Sequence, residues 1–283
     1  MTNMNNIEFN CEICGSDKLD KIDYLKNMSI KGKIFRWIPL WLNVIFPSSL
    51  KRRFVHGKTK ISVFKDRKWL WCKSCKFGVV FPMPSTKELD NYYHTLYWEN
   101  TNNDSLKDIV YSLGNTTRPK RQLDFIKNSG LHNVDNMLDF GAGILGGSVV
   151  FRDAGFSSLN CALDKSEQTS QVSKMLKMRN IFNLDECVNS EFDFIYSSHS
   201  LEHVASLKHV LNDFHRVLTK SGHIFIEVPN FSDDFVMKNH HHAPHTYVFS
   251  LFSLQLFMES NGFIKVSSEL YEDSGMSLFR KIV

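Results

Sequence analysis

The chain has no apolar run long enough to cross a bilayer, which excludes a helical membrane span. Its opening residues, MTNMNNIEFN, carry no positive segment followed by an apolar core. No signal peptide is therefore expected, and the predicted compartment is the cytoplasm. The apolar poverty of a disordered chain is missing too: 42% hydrophobic and 13% aromatic residues suit a packed interior. Cysteine is sparse, with six in 283 residues, and four of the six fall into two C-x-x-C pairs. In a cytosolic chain that pattern favours metal over disulfides.

What charge there is lies unevenly. Residues 1–80 hold 16 Lys or Arg against 6 Asp or Glu, whereas the remaining 203 hold 18 against 24. The basic head faces an anionic partner or is simply well solvated. It contains both cysteine pairs, Cys11-Glu-Ile-Cys14-Gly15 and Cys72-Lys-Ser-Cys75, which read as zinc knuckles. Four thiolates make a closed tetrahedral site with no position left for water or substrate, so the expected role is structural. Free thiols or a redox pair are the alternative reading. Between the knuckles, Ile34–Phe46 is strongly apolar, with two tryptophans, and the stretch 34–53 ends in Lys51, Arg52 and Arg53. It reads as a packed hairpin broken at Pro39 and Pro47, as a lid, or as a peripheral membrane contact.

Three parts are expected: a zinc-binding module at 1–95, a polar linker at 96–116 and a main domain at 117–283. In the main domain, strands alternate with helices. This predicts an α/β fold, a doubly wound sheet of seven strands, mostly parallel with the last strand antiparallel. The centre of that pattern is Met137–Asp164. A strand ends at Asp139. Gly141 and Gly143 form a tight turn, Gly146–Ala154 a helix, and Leu159–Leu163 a second strand closed by Asp164. A glycine turn followed about twenty residues later by an acid at a strand end is the layout that holds a nucleoside. Further on, Ser166 is expected to cap a helix reaching about Met178, Lys220–Gly222 to form a turn, and His240–His245 to lie in a loop leading to a helix at Ser250. His240–His242 could bind a metal or form an exposed tract.

Gly141, Gly143 and Gly146 match the dinucleotide spacing, but no second half-repeat follows, and Asp139 directly before the glycines is not a dinucleotide feature. LDFGAG at 138–143, Asp164, FDFIYSSHSLEHV at 192–204 and LTKSGHIFIEVPN at 218–230 together resemble class I S-adenosylmethionine-dependent methyltransferases in order and spacing. The resemblance implies the cofactor S-adenosylmethionine, with Asp139, Gly141, Gly143, Asp164 and Ser197 around it. Cys72–Tyr93 resembles the zinc-ribbon head of a subgroup that includes sugar C-methyltransferases. That subgroup carries a catalytic histidine before a Phe-Ser pair, and here His245 precedes Phe249-Ser250 at that spacing. Pro244 stands where a Glu usually does, and the further domain that this subgroup carries is not expected after the last strand. The expected reaction is therefore O- or N-methylation of a sugar, nucleotide-sugar or related small metabolite.

A hydroxyl acceptor needs a base, and histidine has the right pKa range. His245 is the first candidate, His242 the second, and His203 is expected near the methyl-donor end of the cofactor. Two other classes stay open: an RNA methyltransferase using the zinc ribbon for recognition, and a non-catalytic partner protein of the same fold. The latter is raised only by Leu145, which stands where a third glycine is usual.

Overall fold

The computed structural model describes residues 9–23, 63–64, 67–93, 117–231 and 245–282. The stretch 34–53, the linker 96–116 and the histidines His240 and His242 lie outside them. The contacts divide the chain into two units. One is Met1–Tyr97 with Asn230–Phe257; the other is Trp98–Pro229 with Met258–Val283. The expected boundaries put Asn230–Phe257, read as a loop leading to a helix, in the main domain, whereas the contacts group this stretch with the head.

In the first unit, β1 (Leu19–Asp23), β2 (Lys68–Cys72), β3 (Phe77–Phe81) and β9 (Tyr247–Val248) form one sheet in that order. Its pairings are all antiparallel. Trp69, Trp71 and Phe77 bury their rings almost completely. Gly78 lies opposite Val248, and a Cβ there would stand 2.4 Å from the valine side chain, so only glycine lets β9 come this close. The helix α1 (Thr86–Tyr92) follows. Ser85 caps it, and Glu88 reaches back to the Ser85 backbone in a capping box.

The second unit holds the seven-stranded sheet. Besides β4 (Val134–Phe140), β5 (Ser157–Leu163), β6 (Arg179–Ile181), β7 (Phe192–Ser198) and β8 (Leu218–Pro229), it contains the hairpin β10 (Phe263–Tyr271) and β11 (Ser274–Lys281). The order is β10-β11-β8-β7-β4-β5-β6. Only β11 runs against the rest, as expected. The helices of this unit are α2 (Thr117–Asn128), α3 (Gly146–Asp153), α4 (Glu167–Met175) and α5 (Leu207–Val217), while α6 (Leu251–Ser260) begins in the first unit and ends in the second. Ser166 and Ser206 cap α4 and α5 by accepting backbone N–H bonds. An aromatic core of Phe151, Phe156, Phe194, Tyr196 and Phe225 packs edge-on and stacked around the central strands.

Two local expectations change. Lys220–Gly222 falls inside β8 as a bulge: Leu218 pairs with Phe192 and His223 with Phe194, and the chain folds back far enough to bring Gly222 against the Leu218 side chain. The helix after Ser166 ends at Met175, because Lys177 takes a left-handed φ of 53° and breaks it.

Candidate active site

The carboxyl ends of β4, β5 and β7 meet at the glycine turn. Gly141 sits at φ 74° and Gly143 at φ 52°, both in the left-handed region that glycine occupies without strain. The turn is tied to β5 by N–H bonds from Gly141 and Ala142 to the Leu163 carbonyl, at 2.9 and 3.1 Å. Thr169 on α4 donates its hydroxyl to the Gly143 carbonyl. Around Gly143 there is room: among the described residues, no atom beyond its chain neighbours lies within 4 Å of where a Cβ would stand. Gly141 is the opposite case, for a Cβ there would lie 2.1 Å from the Ser200 hydroxyl.

Asp164 stands at the end of β5, half-buried. One oxygen accepts from the Gly143 N–H at 2.9 Å, the other from the Ser166 N–H at 2.8 Å. A carboxylate offers about four lone-pair sites. Acceptor capacity therefore remains on Asp164 for two ligand hydroxyls beside the open face of Gly143.

Asp139 behaves differently. It is 2% exposed, and one oxygen accepts from both the backbone N–H and the hydroxyl of Ser148, at 3.2 and 2.7 Å. Its carboxylate thus braces the first turn of α3 against β4. Burial pushes its pKa up to about 7, with Asp164 nearby adding to the rise and the Ser148 bonds opposing it. The folded state holds this proton longer than the unfolded one, so the acid's contribution to stability falls as pH rises from 3.8 towards about 7. Asp139→Asn is expected to remove that loss. The stability of the variant relative to wild type should climb across this interval, as read from urea midpoints at its two ends; a constant difference would count against it.

Leu145 explains itself. It is fully buried against Ala142, Ala162 and Val172 and takes φ 66° as the residue before α3. Burying a leucine is worth about 1.5–3 kcal/mol, whereas a left-handed residue with a side chain costs about 1–2. The side chain points into the core, away from the open side of the turn.

Ser197 is fully buried at the end of β7, and its hydroxyl has no partner among the described residues. His203 closes a 3-10 turn, Leu201–His203, in the same unit, with its side chain 24% exposed. His245 belongs to the other unit, 7% exposed, its ring edge-on to Phe231.

A charged group that the sequence reading passed over lies at the end of β8. Glu227 is fully buried. It pairs with Arg121 at 2.9 Å and accepts from the amide of Gln122, both from α2. Gln122 also donates to the Ser198 hydroxyl at 2.8 Å and accepts from the Tyr196 hydroxyl. Burial raises the Glu227 pKa, but His199 and Gln122 bonding outweighs it and the net shift is downward. A lone glutamate inside the apolar run FIEVP was the available signal.

The four cysteine sulfurs all lie within 4.8 Å of one another. Cys11 and Cys75 are 3.5 Å apart, Cys14 and Cys72 3.6 Å. Tetrahedral zinc with its ordinary bond length needs sulfurs about 3.8 Å apart, so the group fits. Both knuckles close the same way: the N–H of Gly15 returns to the Cys11 carbonyl and that of Lys76 to the Cys72 carbonyl.

Residues 98–268, more than half of the chain, match a family described as the methyltransferase domain. The chain belongs to that family. The methyltransferase is S-adenosylmethionine-dependent, in keeping with the fold and the nucleoside turn. Among solved structures it is similar to a 1,6-didemethyltoxoflavin-N1-methyltransferase from Burkholderia thailandensis, determined with 1,6-didemethyltoxoflavin and S-adenosylhomocysteine bound. The identity is 14% and the TM-score 0.55, over 77% of this chain and 96% of that one. It is also similar to a candidate sarcosine dimethylglycine methyltransferase from Galdieria sulphuraria, at 13% identity and TM-score 0.50, over 58% and 85%. At these identities the likeness speaks for the fold alone. No curated protein matches the methyltransferase in sequence.

Proposed function

We propose that the methyltransferase methylates a hydroxyl or amine of a sugar, nucleotide-sugar or related small metabolite, with His245 as the base. The observation that carries this reading is the fixing of the His245 segment. Thr246 accepts from the Val80 N–H at 3.0 Å, Tyr247 and Val248 pair with β3, and the Phe231 N–H reaches the Phe249 carbonyl at 2.7 Å. A histidine two residues before a paired strand is better oriented than one on a free loop. The Burkholderia neighbour has 1,6-didemethyltoxoflavin bound, which supports a small-molecule acceptor here.

Bound, S-adenosylmethionine supplies a methyl group on a positively charged sulfur. Asp164 accepts the ribose hydroxyls. Gly143 leaves the backbone bare on the side where the cofactor lies, and Gly141 admits the turn that carries Ser200. Asp139 acts one step back, by holding α3. His245 takes the acceptor proton, and His203 lines the pocket. Zinc on Cys11, Cys14, Cys72 and Cys75 is structural. The basic head suits an anionic acceptor.

Labelled S-adenosylmethionine with a panel of nucleotide sugars and related amines tests the acceptor. His245→Gln is expected to lower turnover by about 10²–10⁴-fold, while the Kd for S-adenosylhomocysteine by calorimetry stays at the wild-type value. Retained turnover would remove His245 from this role.

A further inference from the structure

We propose that His199 is a positioning residue for methyl transfer: clasped between Glu202 and Glu227, it holds the turn after β7 against the glycine turn. The inference rests on the reading of Gly141–Gly143 as the cofactor turn.

The backbone at His199 is the first observation. It directly follows β7 and takes φ 52°, a conformation that side-chain-bearing residues avoid. Such residues persist where their surroundings over-determine them, and they gather at functional sites. Here the surroundings are visible. The His199 N–H reaches the Glu227 carbonyl at 2.8 Å. Its Nδ1 lies 3.5 Å from Glu202 Oε1, and its Nε2 lies 3.7 Å from Glu227 Oε1. Ser274 of β11 stands 3.5 Å from the same Nε2.

Both ring nitrogens therefore face a carboxylate, and only the doubly protonated ring has a proton for each. The other charged groups around it are Arg121, paired with Glu227, and Arg118, both on α2. Burial lowers the pKa of His199, but Glu202 and Glu227 outweigh it and raise the value to about 9. Arg121 is itself fixed, lying 3.7 Å over the Tyr271 ring. The clasp thus ties together β7, β8, α2 and the terminal hairpin.

What the clasp positions is Ser200. Its Cβ and hydroxyl occupy the space where a Gly141 side chain would go, at 2.6 and 2.1 Å. The hydroxyl donates to the Ser198 carbonyl at 3.2 Å and lies 3.4 Å from that of Gly141. Ser200 in turn accepts the His203 N–H at 3.1 Å, which closes the 3-10 turn. If His199 relaxes to an ordinary conformation, Ser200 leaves Gly141 and His203 leaves with it.

The variant His199→Asn separates charge from backbone, since asparagine tolerates the left-handed region but carries no cation. At neutral pH it is expected to weaken S-adenosylhomocysteine binding by about tenfold or more, with kcat falling alongside. Amides of 199–203 should exchange faster than in wild type, while the core of β4 and β7 keeps its protection. Wild-type affinity should decline as pH rises through about 9, and that of the variant should stay flat. Wild-type affinity and exchange in the variant, with matching pH profiles, would overturn the proposal. If the wild type binds no S-adenosylhomocysteine, the cofactor reading fails. The exchange comparison in the free protein then still decides whether His199 holds the turn.

Discussion

With zinc on the four cysteines, as proposed above, its removal is expected to unfold the first unit and to release the His245 segment with it. Structural zinc contributes about 10–16 kcal/mol in small domains, as much as the whole stability of an ordinary one, about 5–15. The sheet here has little to set against that loss. Its strands are five residues long or shorter. The coupling to His245 runs through the second knuckle: the Ser250 hydroxyl donates to the Cys75 carbonyl and the Ser250 N–H to the Lys76 carbonyl, both at 3.1 Å. Ser253 adds a bond to the same Lys76 carbonyl at 3.3 Å. Once Cys75 lets go, the start of α6 loses its tie to the second knuckle, and β9 is left with only its two-residue pairing to β3 and the Val80–Thr246 bond. Without a dication the buried Cys11 thiol is driven up to about 11 and Cys75 is also raised, so burial keeps both protonated and poorly bonded. Chelation, or Cys75→Ser, should therefore collapse protection of amides 246–250 and abolish turnover. S-adenosylhomocysteine binding should persist, since Asp164, Gly141 and Gly143 all belong to the other unit. Persistent protection of 246–250 after complete metal removal would sink the prediction.

The seven-stranded sheet was legible because each βα unit carries its own punctuation: an apolar strand, a glycine or serine at the turn, then a helix with a spaced apolar face. Gly155 at φ 65° ends α3, and Ser166 caps α4 as expected. The cysteine cluster was legible for a similar reason, since paired C-x-x-C fixes ligand geometry locally. What the sequence hid depends on distant partners. Tyr247-Val248 is two residues of strand with no period of its own, and it exists only because β3 offers Gly78 and a free edge. Asp139 was read only from its place before the glycines, and the sequence did not show that one of its oxygens accepts from Ser148, nine residues on. Glu227 read as one letter in a strand. Its partners lie on α2, over a hundred residues earlier.

Glu227→Ala is expected to be the most damaging single change in the second unit. Removing one member of a buried ion pair costs about 3–5 kcal/mol, because the other charge is left unpaired. Arg121 and His199 are 23% and 25% exposed, so water entering the space left by Glu227 can rehydrate them in part. The lower end, about 3 kcal/mol, is then the expected loss. The pH dependence identifies the mechanism. Glu227 has a depressed pKa, so its contribution is present above the ordinary value of 4.5 and is lost as pH falls through the lower folded one. His199 is raised from 6.5 to about 9, so its contribution is complete below 6.5 and fades as pH climbs through 9. Both charges therefore act together between 4.5 and 6.5. Glu227→Gln keeps the shape and the amide contacts but not the charge. Its deficit against wild type, read from hydrogen exchange of β4 and β7 in urea, should be large inside that window and shrink above the folded pKa of His199. A deficit that stays the same on both sides would mean that Glu227 acts through Arg121, packing and neutral hydrogen bonds, and that no charge is shared with His199.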